Sequence, residues 1–423
     1  MDYRRRIIDD ELDELMTGLP AIALEGARGV GKTTTATRRS GAVFQLDDPD
    51  QLEVLSADLS QLGAEPGTVV IDEWQRHPPV WDYVRRQVDA GAPPGRYVLT
   101  GSALPAEAPA HSGAGRIVQL RMRPLSLAER GLGDQTVSLR ELLSGERPPV
   151  GGTTEVALRD YVEEILASGF PGIRRLAGRA RRAQLDSYLA RVVTRDFTDQ
   201  GLRVRRPATL RAWLAAYAAA TATTASYSAL LDAATVGEAD KPAKTTTIAY
   251  RDVLNQLWLL DPVPGWLPGY GHLSRLTQAP KHHLADPALA ASLLGADART
   301  LLRGEPVGPV IPRDGSLLGA LFESLVAQSV KVYAQADEAT VHHLRTKDGD
   351  HEVDLIVELH DRRFVALEVK LGAVPGTGEL RHLKWLSGQL GQDLADAVLI
   401  TTGAHAYRRQ DGIAVVPAAL LGP

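Results

Sequence analysis

The sequence predicts an α/β chain of three parts: a parallel-sheet domain, a helical middle and a small α/β end. Three observations predict it. Residues 20–33, PAIALEGARGVGKT, run from an apolar strand into a glycine-spaced loop, and strands then alternate with helical segments to about residue 120, as a parallel sheet covered on both faces requires. A Pro/Gly-rich connector, ERPPVGGTT at 146–154, opens a long helix-forming stretch. Alternating strands return after residue 350. A chain of 423 residues is too long for one core, and the expected boundaries are 1–145, 146–275 and 276–423.

The loop Gly26, Ala27, Arg28, Gly29, Val30, Gly31, Lys32, Thr33 and Thr34 has the spacing of a P-loop. Its glycines let backbone N–H groups turn inward around a phosphate, Lys32 reaches the β/γ-phosphates, and the Thr33 hydroxyl is placed for Mg²⁺. The helix that opens at Thr33 adds its positive end to the cradle. A second strand at 42–46 closes on Asp47-Asp48-Pro49. The apolar strand at 68–71 ends in Asp72 and Glu73. There Asp72 would hold Mg²⁺, directly or through water, and Glu73 would polarise the attacking water. A fourth strand at 96–99 ends in Thr100-Gly101-Ser102, where either hydroxyl would sense a γ-phosphate or cap the next turn. Arg116, on a glycine-rich loop before the strand at 117–120, is the candidate arginine finger, expected to serve a neighbouring subunit.

Residues 26–33, VVIDEW at 69–74, LTGSA at 99–103 and GRIVQLRMRPLSL at 115–127 resemble the bacterial and archaeal AAA+-type ATPases that carry a C-terminal domain of unknown function. The resemblance covers nearly the whole chain. It implies an ATP- and Mg²⁺-dependent ATPase core, a middle similar to winged-helix modules, a compact α/β end and a homo-oligomer. Thr100 and Ser102 depart from it, standing where many AAA+ proteins have Asn.

The middle reads as helices over 156–167, 173–199 and 209–222, then two short helices at 226–234 and 245–257 and an extended segment from Trp258. Helix, turn, helix and extended hairpin is the order of a winged helix-turn-helix. Lys244, Thr245, Thr246, Thr247 and Arg251 are expected on the exposed face of its second helix, which suits phosphate or base contact. The same threonines also suit a helix start with cap chemistry. Between residues 171 and 206 stand ten arginines against three aspartates, with no Lys or Glu. This basic run is a solvated helix face or a phosphate-binding surface.

The last part carries four charged residues in order. Glu323 interrupts the apolar side of an amphipathic helix at 317–331, and an acid there needs a partner. Asp354 lies in an alternating strand at 352–358, and Glu368 and Lys370 share one face of the next strand. Helix acid, Asp, then Glu-x-Lys resembles the restriction-endonuclease-like PD-(D/E)xK fold. That likeness implies Glu323, Asp354 and Glu368 as ligands of Mg²⁺ or Mn²⁺ and Lys370 as the residue orienting the attacking water. Alternating charges on a strand surface give the opposing reading, simple ion pairing. His282, His283, His342, His343 and His351 lack ordered zinc spacing and are expected at the surface. KHHLAD at 281–286 matches a short linking motif of the related ATPases.

A composition of 44% hydrophobic and 23% charged residues with net charge −5 is that of a globular chain. No uninterrupted apolar run reaches membrane-spanning length, the N-terminus reads as a charged amphipathic helix rather than a signal peptide, and the absence of cysteine excludes disulfides and thiolate zinc. A cytoplasmic location is expected. The function expected is an ATP-dependent protein acting on DNA, with a Mg²⁺-dependent nuclease-like end. The alternative is a nucleotide-switched regulator or remodelling motor whose end domain binds a partner or nucleic acid without cleavage.

Overall fold

Five strands form the first sheet: β1 (Ala21–Glu25), β2 (Ala42–Gln45), β3 (Val69–Asp72), β4 (Tyr97–Gly101) and β5 (Val118–Arg121). The computed structural model describes residues 3–105, 113–235, 242–267, 279–313, 315–347, 349–374, 376 and 378–423. All five strands run parallel, in the order β2-β3-β4-β1-β5. β1, β3 and β4 are buried throughout, which is why they read as continuous apolar runs. Because β4 lies between β1 and β3, Thr100 is paired with Leu24 on one side and with Asp72 on the other. The P-loop, Asp72 and Thr100 therefore meet at the carboxyl ends of the strands, where open α/β sheets bind ligands.

The middle is helical, but the predicted helix over 173–199 is interrupted early: a short helix, Pro171–Arg174, is separated from the next by residues 175–177. Gly178–Arg191 passes into a π-helical turn, Val192–Asp196, before Phe197–Asp199. Helices Pro207–Ala219, Tyr227–Ala234 and Lys244–Gln256 follow. The chain is then extended, with antiparallel bridges joining Leu260 to Leu284 and Val263 to Lys281.

The last sheet contains β7 (Gly151–Thr153), β8 (Thr340–Arg345), β9 (Glu352–Glu358), β10 (Phe364–Val369), β11 (Leu394–Thr401), β12 (His405–Arg408) and β13 (Ala414–Pro417). Its order is β7-β12-β13-β11-β10-β9-β8. β9 and β10 form the expected antiparallel pair, while β11 runs parallel to both β10 and β13. The connector at 146–154 is not a free linker: β7 comes from it and pairs with β12. Just before it, β6 (Val137–Ser138) pairs with β14 (Leu421–Gly422). Gly152 has φ +133° and a Cβ there would collide with the Thr136 side chain, so glycine lets this segment add a sheet edge, which a reading of Gly as punctuation overlooks.

One apolar core runs from Ile8 through the helical middle to Leu421. At its centre lies helix Leu317–Ala336, the one helix among the described residues long and apolar enough to cross a membrane; 78% of that window is buried inside the protein. Buried charges tie the parts together. Asp261 meets Arg121 at 3.0 Å and Arg123 at 2.9 Å, both from the end of the first sheet, and Lys331 of the long helix at 3.1 Å. Burial works against its charge, but these cations hold the Asp261 carboxyl well below the usual range. Asp261→Asn strands buried cations that face one another. It should destabilise the chain by about 3–5 kcal/mol, read as a lower urea midpoint; an unchanged midpoint would show the junction to be unimportant.

Candidate nucleotide site and a carboxylate cluster

The P-loop follows β1 directly. Gly26 has φ +154°, and a Cβ built there would collide with the Met122 carbonyl oxygen, so only glycine fits. Gly31, with φ +110°, caps the helix Lys32–Thr37 in the left-handed region. Lys32 folds back on the loop, its Nζ donating to the carbonyls of Gly26 at 2.8 Å and Ala27 at 3.1 Å. Burial lowers its pKa to about 8. Glu25, just before the loop, is buried with neither oxygen hydrogen-bonded, and burial pushes its carboxyl up to about 7.

Thr33 Oγ1 donates to Asp72 Oδ1 at 2.8 Å, and the Thr100 hydroxyl donates to the same oxygen. Burial raises the Asp72 carboxyl against these bonds. A hydroxyl and a carboxylate oxygen in contact beside a buried ammonium are hard donors that fit the Mg²⁺ of a bound nucleotide. Glu73 is held at φ +56°, and its Oε2 accepts from Ser102 Oγ at 2.7 Å and from Gln75 Nε2 at 2.5 Å. The two predicted sensor hydroxyls thus split their work, Thr100 on Asp72 and Ser102 on Glu73.

Gln75 and Arg6 escaped the sequence reading. Arg6 Nη1 donates to the Val30 carbonyl at 3.0 Å while its Nε donates to Glu129 at 2.8 Å, so the N-terminal segment braces the loop. Arg116 is not brought to this site. It precedes β5, pairs with Asp89 at 2.9 Å, and lies at the amino end of a sheet whose P-loop is at the carboxyl end. The four residues of β5 alone separate the two ends by about 13 Å. The helical middle does reach the site. A cavity of about 250 Å³ is lined by Arg28, Glu73 and Ser102 on one side and by Tyr188, Arg195 and Asp196 on the other. The Tyr188 hydroxyl donates to the Arg28 carbonyl at 3.3 Å.

A second groove, of about 510 Å³, lies between exposed Arg203, Arg205 and Arg206 and the first turn of helix Lys244–Gln256, at Thr245 and Thr246. Of the residues expected on that helix's open face, Thr247 is buried and donates to the Lys244 carbonyl, and Arg251 lies over the Tyr227 ring. Other arginines of the basic run are consumed locally, Arg174 by Glu164 and Arg191 by Asp196.

Glu323, Asp354, Glu368 and Lys370 do converge, but not as a metal site. Lys281, from the KHHLAD segment, puts its Nζ 2.9 Å from Glu323 Oε1, 2.7 Å from Glu352 Oε1 and 2.8 Å from Asp354 Oδ1. Asp354 Oδ2 accepts from the Val369 N–H at 2.9 Å, and Lys370 Nζ lies 2.7 Å from Glu368 Oε1. Among the described residues no group of three or more His, Asp or Glu is arranged to hold a metal. Of the expected ligands, Glu323 and Asp354 are bridged by the Lys281 ammonium, and Glu368 pairs with Lys370. Burial raises both Glu323 and Glu368 and favours their neutral forms. Burial also opposes the charge on Asp354, but Lys281 and Lys370 outweigh it and hold that carboxyl low. The sequence reading gave Lys281 only as part of KHHLAD and Glu352 only as a strand residue, with no role in this cluster; the acid on an apolar helix face was the signal that a cation must come from elsewhere. The surface expectation for the histidines also fails in part, since His282, His283 and His343 are buried. Burial keeps the His283 ring neutral.

Residues 19–130 match a family described as AAA domain, residues 158–300 a Domain of unknown function (DUF8612), and residues 318–421 a Domain of unknown function (DUF4143). The chain is 26% identical over 427 residues to uncharacterised proteins of Mycobacterium bovis and Mycobacterium tuberculosis, covering 99% of this chain and 84% of each relative. Among solved structures it is similar to the Walker-type ATPase of Pyrococcus abyssi, at 16% identity and TM-score 0.42 over 69% of this chain and 96% of that one. It is also similar to the ORC2 protein of Aeropyrum pernix, at 15% identity and TM-score 0.28 over 76% of this chain and 94% of that one. The phosphate cradle and the AAA match together make residues 19–130 a P-loop AAA-type ATPase domain.

Proposed function

We propose that the chain is an ATP-driven switch that passes its nucleotide state to the helical middle and, through that middle, acts on DNA without cutting it. The observation that carries this is the shared cavity, in which Arg28 and Glu73 of the ATPase domain face Arg195 and Asp196 of the π-helical turn. The P-loop amides and Lys32 hold the phosphates. Thr33 and Asp72 would hold Mg²⁺, which when bound neutralises charge on the β- and γ-oxygens. Glu73, once released by Ser102 and Gln75, takes up the attacking water by hydrogen bond and draws off its proton. A π-turn within a helix shifts register at small cost, which suits a segment that must answer to the γ-phosphate.

Action on DNA is supported by the groove between the exposed arginines and helix Lys244–Gln256, and by the order of helices and extended segments, which fits a winged helix. The helix, antiparallel pair and parallel strand around Glu323, Asp354 and Glu368 favour an endonuclease-like fold. Lys281 weighs against metal-dependent cutting from it.

Lys32→Ala should abolish ATP binding in calorimetry, and Glu73→Gln should keep binding while lowering turnover about 10²–10⁴-fold; normal turnover in Glu73→Gln would remove that residue from the reaction. The depressed Lys32 gives a pH dependence of known sign. The free protein loses this proton above about pH 8, and a bound polyphosphate restores it. ATP affinity should therefore fall as pH rises past 8, with proton uptake on binding detectable as a buffer-dependent heat. Replacing Arg203 and Arg205 together by Ala should weaken binding of a labelled DNA duplex and lower the log–log salt slope by about 2. The same change at Arg299 and Arg303, outside the groove, serves as the control, and equal effects of both pairs would refute the groove.

A further inference from the structure

The carboxylate cluster of the last sheet has a cation already built into the chain. The Lys281 side chain is 1% exposed; its Nζ donates to Glu323 Oε1 on the long helix and Asp354 Oδ1 on β9 and lies 2.7 Å from Glu352 Oε1, also on β9. An ammonium so placed is answered by acids on both elements. Lys281 itself comes from the extended segment that bridges to Val263, so the contact joins the helical middle to the last sheet.

We propose that the Lys281 ammonium is the resident cation of this cluster, standing where a divalent metal would otherwise sit between Glu323, Glu352 and Asp354, and clasping the middle to the last sheet. A divalent ion between these oxygens would have to lie within about 2.0–2.6 Å of them, in space that Nζ takes at 2.7 to 2.9 Å. The two occupants exclude each other sterically and by like charge. Lys370 adds to the exclusion, since its Nζ lies 3.8 Å from Asp354 Oδ2 and holds Glu368 Oε1. The remaining oxygen of Asp354 is taken by the Val369 N–H. Removing the Lys281 charge leaves acids from two elements facing one another with room for a metal, so a site absent from the natural chain should appear.

Mn²⁺ binding to the full nucleotide-free chain tests this, followed by electron paramagnetic resonance and by thermal midpoint. The natural protein should show no Mn²⁺ that disappears with Asp354→Asn. Lys281→Ala should gain one Mn²⁺ per chain and a midpoint that rises with Mn²⁺, and both should vanish when Asp354→Asn is added. Lys281→Gln, which keeps most of the side-chain volume, should behave in the same way and replaces the alanine variant if that fails to fold. Asp354-dependent Mn²⁺ on the natural protein overturns the proposal whatever the variants do, and so does a folded Lys281 variant that binds none. Because nucleotide is absent throughout, neither outcome depends on the ATPase reading.

Discussion

Arg121, Arg123 and Lys331 converge on the single carboxylate of Asp261, and the rest of the architecture depends on that convergence. A charge removed from water must be answered inside the protein, and here the answer crosses between parts that lie far apart in sequence. Arg121 and Arg123 sit at the end of the ATPase sheet, Asp261 in the extended part of the middle, and Lys331 on the helix that backs the last sheet. The apolar core around them has no seam at these borders. Any motion started at the nucleotide must therefore pass through packed side chains rather than through a slack tether.

The nucleotide site has the same economy. Strand order places Thr100 between the P-loop strand and Asp72, so one carboxylate oxygen gathers two hydroxyls. Glu73 is kept one residue further on by Ser102 and Gln75. Two adjacent acids are thus given separate hydrogen-bond sets. Glu73 sits in the left-handed backbone region, rare for a residue with a side chain.

What the sequence revealed was local. The P-loop, the acid pair at the end of β3 and the hydroxyls at the end of β4 follow from spacing along single strands, and the antiparallel pairing of β9 with β10 follows from a short turn. What it hid was made by distant segments meeting. Lys281 is 42 residues from Glu323 and 73 from Asp354, and no periodicity connects them. Arg6 reaches Glu129 across 123 residues. Arg116 shows the complementary limit: a glycine-rich loop beside a strand looks alike at either end of a parallel sheet, and only the direction of β5 puts it at the end away from its own P-loop.

The strand drawn from the connector has a consequence for how the chain can be divided. β7 closes the β12 side of the last sheet, and β6 lies along the final residues of the described chain. A fragment begun at residue 276 would leave the backbone N–H and C=O groups of β12 bare, an invitation to intermolecular pairing and aggregation. The smallest self-contained piece of this end must carry the stretch from Val137 to Thr153 with it, so the cut that looks natural on paper falls through the middle of a folding unit.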